Sequence, residues 1–291
     1  LNAGFTTSGW LSEQLSGIDN LFFLRDLMTE IETNWDAVRA NLEAIRAHVL
    51  HRSGMLVNAT LDAANWEQVQ PQVAQFISTL PAGTGELATW TPDFNTANEG
   101  LTIPVQVNYV GKGGNLYDLG YKADGAAYVV PRWLGTDWLW ERVRMMGGAY
   151  GAFAGFDSYT GVFSYVSYRD PNLLETLENY DGSAEYLGAL DLSDSELTKA
   201  IIGTMSDLDA YQLADAKGYS QMVRHFVGMT DALRQQIRDD VLATTAADFQ
   251  AFGAALAKLN AVGRVVVLGS AEAIEAANAA QPGLLTVTKV L

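Results

Sequence analysis

Arg142, Arg144 and Tyr150 are the residues best placed to do chemistry. They lie in ERVRMMGGAYGAFAGFDSYTGVFSYVSYRDPNLLETLENYDG, from Glu141 to Gly182. A guanidinium and a phenol held at a sharp backbone turn can donate hydrogen bonds to a carbonyl oxygen as it gains negative charge. The same residue types also make ordinary surface arginines and turn tyrosines. Residue type alone leaves both readings open.

Other candidates fall away on spacing. His48 and His51 stand three apart near a helix end, with Glu43 a turn earlier. A helical zinc site needs two histidines and a glutamate within about one turn, and here Val49 and Leu50 separate the histidines with no adjoining glutamate. The pair reads as helix-end histidines. His225, beside Arg224, reads as a packing or surface residue. Gly111-Lys112-Gly113-Gly114 resembles a phosphate loop, but no Ser or Thr follows the lysine and no helix opens there. It reads as a flexible hairpin or edge loop. There is no G-x-S-x-G, and the carboxylate pairs Asp207/Asp209 and Asp239/Asp240 carry little information in so acidic a chain.

The elements that must hold the arginines and the tyrosine are legible around them. Trp138–Met146 reads as a helix ended by Gly147-Gly148. It closes a longer helical region, 126–146, bent or split by Pro131 and Gly135. Ala149–Phe156 and Val162–Tyr168 read as a hairpin turned at Asp157-Ser158 and Thr160-Gly161, with Phe163, Tyr165 and Ser167 sharing one face. Asp170-Pro171 reads as the capped start of the next helix.

Upstream, Leu1–Gly17 is mixed and turn-rich, and Ile18–Trp35 and Asp36–Arg52 read as two helices broken at Thr33-Asn34. A domain boundary is expected near Ser53, making residues 1–53 the helical tail of a preceding domain and 54–291 an α/β domain. Met55–Leu61 reads as a strand, Trp66–Leu80 as a helix, 81–100 as a long loop, Leu101–Gly111 as a strand and 111–120 as a loop. Downstream come helices, including one capped by Ser193 with Glu196 and others over about 219–227, 231–243 and 246–260 with Thr230 and Thr245 as caps. A buried strand at Arg264–Leu268, a helix at Ala271–Ala280 and a strand at Leu284–Val290 complete the chain. The expectation is an α+β layered domain: a mixed sheet of about six strands with helices packed on it.

Composition bounds the function. The 291 residues are 48% hydrophobic and 18% charged, as in packed globular chains. No apolar run approaches the ~20 residues of a membrane helix, so no membrane span is expected. There is no cysteine, which rules out disulfides and thiolate metal sites. The net charge of −16 argues against nucleic acid as a partner and is compatible with attracting cationic peptides, though it equally serves solubility. The chain starts at Leu1 without an initiator methionine, and is expected to be a processed product or a piece of something longer.

Several stretches together carry a family resemblance. VRMMGGAYGAF, FDSYTGVFSYVSYRDPNLLETLENYDG and LTKAIIGTMSDLDAYQLADAKGYSQMVRHFVGMTD, with TTSGWLSEQ, VNATLD and VQVNYVGKGGNLYDLGY before them, resemble the C-terminal part of presequence proteases. These are the organellar branch of the insulinase-like (pitrilysin-type) zinc metallopeptidases, and the likeness covers nearly the whole chain.

The resemblance implies a protease of two halves closing around a chamber, each half built from two related α/β domains. It implies zinc bound by an H-x-x-E-H motif and a downstream glutamate in an N-terminal half that this chain lacks, so no cofactor is expected on the chain itself. It maps substrate and oxyanion binding to Arg144 and Tyr150, around the GGAYG motif, with Arg142 a poorer match. Expected partners are that N-terminal half, on the same chain or a separate subunit, and unfolded targeting peptides, which are basic. The expected location is the mitochondrial matrix, the chloroplast stroma, or both. A non-catalytic subunit of the same fold in an organellar complex is the alternative.

Overall fold

The structure is a computed structural model describing residues 1–83 and 88–291. Part of the expected 81–100 loop therefore lies outside the described residues. In chain order the helices are α1 (Thr7–Ser16), α2 (Ile18–Thr33), α3 (Trp35–Val49), α4 (Ala63–Ser78), α5 (Ala126–Thr136), α6 (Leu174–Ala189), α7 (Asp194–Leu208), α8 (Ala214–Phe226), α9 (Asp231–Leu242), α10 (Ala246–Val262) and α11 (Ala271–Ala280). A π-helix spans Trp140–Met146. The strands are β1 (Glu99–Thr102), β2 (Tyr109–Asn115), β3 (Gly151–Phe156), β4 (Val162–Tyr168), β5 (Arg264–Gly269) and β6 (Thr286–Lys289).

The chain divides into two compact units. One unit comprises Leu1–Gln14, Pro92–Asp209 and Arg234–Leu291, and holds the sheet; the first fourteen residues group with it. The other, Leu15–Thr91 with Ala210–Leu233, contains α2, α3, α4 and α8.

The sheet runs β3-β4-β2-β5-β1-β6, with parallel pairing at β1–β5 and β1–β6 and antiparallel pairing elsewhere. This is the expected mixed six-stranded α+β layer. Helices α5, α6 and α10 supply most of the packing layer, and α11 packs on β1 and β5. The alternation read in β4 holds from Phe163 onward: Phe163, Tyr165 and Ser167 are buried and Val166 and Tyr168 exposed, while Val162, expected on the opposite face, is buried as well. Burial of one face of a strand is what fixes this register, since a one-residue slip would turn Phe163, Tyr165 and Ser167 to water.

Several expectations need correction. The Gly111–Gly114 stretch is not a loop but the middle of β2, flanked by β4 and β5. Its glycines serve close approach. A Cβ on Gly113 would stand 2.4 Å from the Phe163 carbonyl oxygen, and one on Gly114 2.6 Å from Leu259 Cδ1. Lys112 is buried and donates to Asp181 Oδ1 at 2.6 Å and to the Asn260 carbonyl at 3.3 Å. The single strand expected over 101–111 is two, broken around Pro104 where the ladder loses a donor.

Residues 55–61 form no strand, and the turn-rich start contains α1. The region 126–146 breaks at Asp137, not at Pro131, which is buried inside α5. The helix expected to start at Asp170-Pro171 begins at Leu174. Asp170 is buried instead, bridging to Asn108 through paired backbone hydrogen bonds of 2.7 and 2.8 Å. Its carboxylate accepts from the Asn172 N–H at 2.9 Å and the Thr176 hydroxyl at 2.7 Å.

Burial pushes the Asp170 carboxyl above the usual range, even though its hydrogen bonds oppose the shift. The folded state thus holds this proton more tightly than the unfolded chain. Its contribution to stability is full below the unfolded carboxyl pKa, about 3.9, and falls as pH rises from there through the raised folded value. Urea unfolding of the native chain and of Asp170→Asn over that window tests this. The stability difference, native minus variant, should decline with rising pH; a pH-independent difference would contradict it.

Candidate functional site

The corner between the π-helix and β3 is built by a left-handed glycine ending of the αL type. Gly148 takes φ +81°, its N–H donates to the Arg144 carbonyl at 3.0 Å, and the Ala149 N–H donates to Val143 at 3.1 Å. Glycine is needed at that positive φ. The Asn172 side-chain amide donates to the Gly147 carbonyl at 2.6 Å, tying the corner to the segment before α6. The chain then enters β3 with the Tyr150 N–H donating to the Tyr168 carbonyl at 3.1 Å.

The wider π turn decides where the two arginines go. Trp140 and Arg144 fall about one turn apart, and the Arg144 guanidinium lies over the Trp140 ring at 3.8 Å. Among the described residues no salt bridge holds Arg144. Arg142 goes to another side. It lies 5.0 Å over the Trp138 ring, and its buried Nε has no hydrogen-bond partner among the described residues. Trp138 stacks on Tyr186 at 4.8 Å and donates to the Asn179 carbonyl at 2.7 Å. Tyr186 in turn donates to Asp137 at 2.5 Å, and burial first, then that carboxylate, pushes its phenol up.

Arg144 and Tyr150 meet at one hollow of about 490 Å³ beside β3. Its lining includes Arg132, Gly135, Trp140 and residues 151–154, with no carboxylate. Tyr150 is 69% exposed and braced edge-on by Tyr168 at 5.8 Å, so its hydroxyl is open to a ligand. Arg132 at the same hollow is engaged by Asp207 at 2.7 Å. Arg142 does not line it. A cation backed by an indole beside a free phenol, over an apolar floor, can accept a peptide carbonyl and an apolar side chain together.

The sequence reading missed Trp140 and the floor made by residues 151–154. The four-residue spacing of Trp140 and Arg144 in a helical region was the available signal. A second hollow, of about 410 Å³, is lined by Asn2, Thr6, Ser8, Asp157, Thr160 and Ser164 among others. Both Asp157 oxygens there are already engaged, by the Tyr159 N–H and the Thr160 hydroxyl. The three histidines belong to the unit without the sheet: His48 is exposed on α3, His51 contacts the Ser53 hydroxyl at 2.8 Å, and His225 is exposed on α8. Among the described residues, no three His, Asp or Glu side chains are grouped to hold a metal ion. No described helix is long and apolar enough to cross a membrane.

The model of the PreP C-terminal domain family matches residues 98–272. The chain is 46% identical over 292 residues to presequence protease 1, chloroplastic/mitochondrial, of Arabidopsis thaliana, covering 100% of this chain and 27% of that protein. It is 31% identical over 270 residues to protein HypA of Clostridium perfringens, covering 93% of this chain and 27% of that one. The chain thus spans about a quarter of the length of these curated relatives. Among solved structures, a peptidase M16 inactive domain from Pseudomonas fluorescens superposes with a TM-score of 0.49 at 18% identity, covering 72% of this chain and 52% of that one. With a family model matched over residues 98–272, most of the sheet and the whole π-helix–hairpin corner included, the chain belongs to the PreP C-terminal domain family.

Proposed function

We propose that the chain is the C-terminal part of an organellar zinc endopeptidase that degrades unfolded targeting peptides and other short peptides. The observation that carries this is the 46% identity to an Arabidopsis thaliana presequence protease over the chain's full length. On this reading the sheet-bearing unit forms part of a chamber wall. On the same reading the zinc belongs to an N-terminal half, and no step is routed through it here. This chain's part is to position substrate. Arg144, held over Trp140, and the Tyr150 hydroxyl donate to a backbone carbonyl, while the hollow beside them receives a side chain.

Native mass spectrometry on protein from its source tests the reading. A longer chain carrying one zinc supports it. A free-standing 291-residue protein lodged in a large assembly would instead favour a structural subunit.

The charge of −16 gives the wall a second task, raising the local concentration of basic peptides. KM for a basic amphipathic peptide should then rise severalfold between ~0.05 and ~0.5 M salt, as the screening length shortens to a few ångströms. A KM indifferent to salt would count against electrostatic capture.

A further inference from the structure

β3 is the outer strand of the sheet, and among the described residues no strand pairs with its outer edge. Its sequence, GAFAGF, contains no charge and no proline. The elements packed on it are β4, α5 and the π-helix. The register sets which backbone groups are free. Residues 151–156 pair with 168–163, and the Asp157 N–H donates to the Val162 carbonyl at 2.9 Å. Hydrogen-bonded positions alternate in an antiparallel ladder. Gly151, Phe153 and Gly155 therefore turn their N–H and C=O toward β4, and Ala152, Ala154 and Phe156 turn theirs outward.

The same outward-bonding residues border the hollow. Ala152 and Ala154 line it, and a Cβ on Gly135 opposite would meet nothing within 4 Å. Small residues thus leave a space of about 490 Å³ directly beside backbone groups that have no strand partner among the described residues. We propose that β3 binds substrate peptide by strand addition: an extended peptide pairs with Ala154 and its outward-bonding neighbours and sends alternate apolar side chains into the hollow.

Charge selects the occupant. No carboxylate lines the hollow and Arg144 stands at its rim, so a lysine or arginine side chain is disfavoured inside, whereas carbonyls of the added strand are favoured. Main-chain pairing supplies affinity without demanding a sequence, and the hollow supplies the preference for a large apolar residue at every second position. This rests on the reading of the corner as a peptide-handling surface, and it adds how the peptide is held.

The probe is a fluorescein-labelled octapeptide of alternating leucine and lysine. It is used on the complete protein containing this chain, with a chelator present to prevent cleavage. Bound probe should slow hydrogen exchange across 151–156. Ala154→Pro removes an outward donor from an edge position, where proline is tolerated. It should raise Kd at least tenfold and abolish that protection, while Gly188→Ala, which lies outside the hollow and whose Cβ meets nothing within 4 Å, should leave both intact. If the proline variant does not fold, a probe N-methylated at alternate backbone nitrogens, tested on native protein, decides the point: it should lose the protection. Unchanged exchange across 151–156 at saturating probe, or a Kd for Ala154→Pro within twofold of native, overturns strand addition. The Arg144 reading is separable. Protection with normal turnover in Arg144→Ala keeps the edge and removes the corner's role in turnover; lost turnover without protection does the reverse.

Discussion

Gly113→Val is expected to cost the sheet about 3 kcal/mol or more, the upper end for overpacking a core, because the obstruction is backbone. The new Cβ would stand 2.4 Å from the Phe163 carbonyl oxygen and 3.2 Å from Ser164 Cα, both in β4. A flexible side chain could rotate away; a strand cannot. β2 has no room to retreat, since Gly113 is also paired with Arg264 of β5. Its neighbours fix it further, Lys112 through Asp181 and Gly114 through the close approach of Leu259. With domain stabilities of about 5–15 kcal/mol, such a loss removes a large share of the total. Urea midpoints provide the measurement, with Gly188→Ala as control, because a Cβ there meets nothing within 4 Å. Midpoints that match in the two variants would show that β2 does not carry this constraint.

That glycine strand also marks the limit of what the sequence makes legible. Local rules found the elements whose cause is local. The alternation of β4 from Phe163 onward emerges as expected, and so do the capping box of Ser193 with Glu196 and the place of Thr245 as the N-cap of α10. GKGG reads as a loop because glycine lowers strand propensity, and the reason it forms a strand is the proximity of β4 and α10, which no local rule contains. Asp170 misled in a similar way. Its type and the following proline suit a helix start, but the partner that claims its backbone, Asn108, lies sixty-two residues away. Residues 55–61 have strand-like side chains but pair with no strand among the described residues.

The site was legible to the same extent. Arg142, Arg144 and Tyr150 could be picked out from their place at a glycine turn. Their types alone do not separate the arginines and the resemblance prefers Arg144; the π-helix supplies the physical difference, sending one guanidinium to Trp138 and the other to Trp140 at the hollow. In an α-helix the same residues would project at other angles.

Arg144→Ala and Tyr150→Phe, each made in the complete enzyme, are expected to lower kcat/KM for peptide cleavage at least tenfold, about 1.4 kcal/mol of transition-state stabilisation. The loss for Arg144 should extend toward the ~10²–10³ seen when one donor to a developing oxyanion is removed. The structure separates chemical from architectural contributions here. Tyr150→Phe keeps the ring that Tyr168 braces and removes only the exposed hydroxyl, so a purely structural tyrosine predicts no change. Arg144→Lys keeps the charge but loses the planar guanidinium lying on Trp140, and should recover only part of the activity. The kcat and KM values then assign the step. A fall in kcat at constant KM places the hydrogen bond in the transition state, and a rise in KM alone places it in ground-state binding. Arg142→Ala is the internal comparison, because its guanidinium lies on Trp138 and does not line the hollow. It should change stability more than turnover. Unchanged kcat/KM in both Arg144→Ala and Tyr150→Phe would leave the hollow an apolar recess beside a sheet edge, with no part in the reaction.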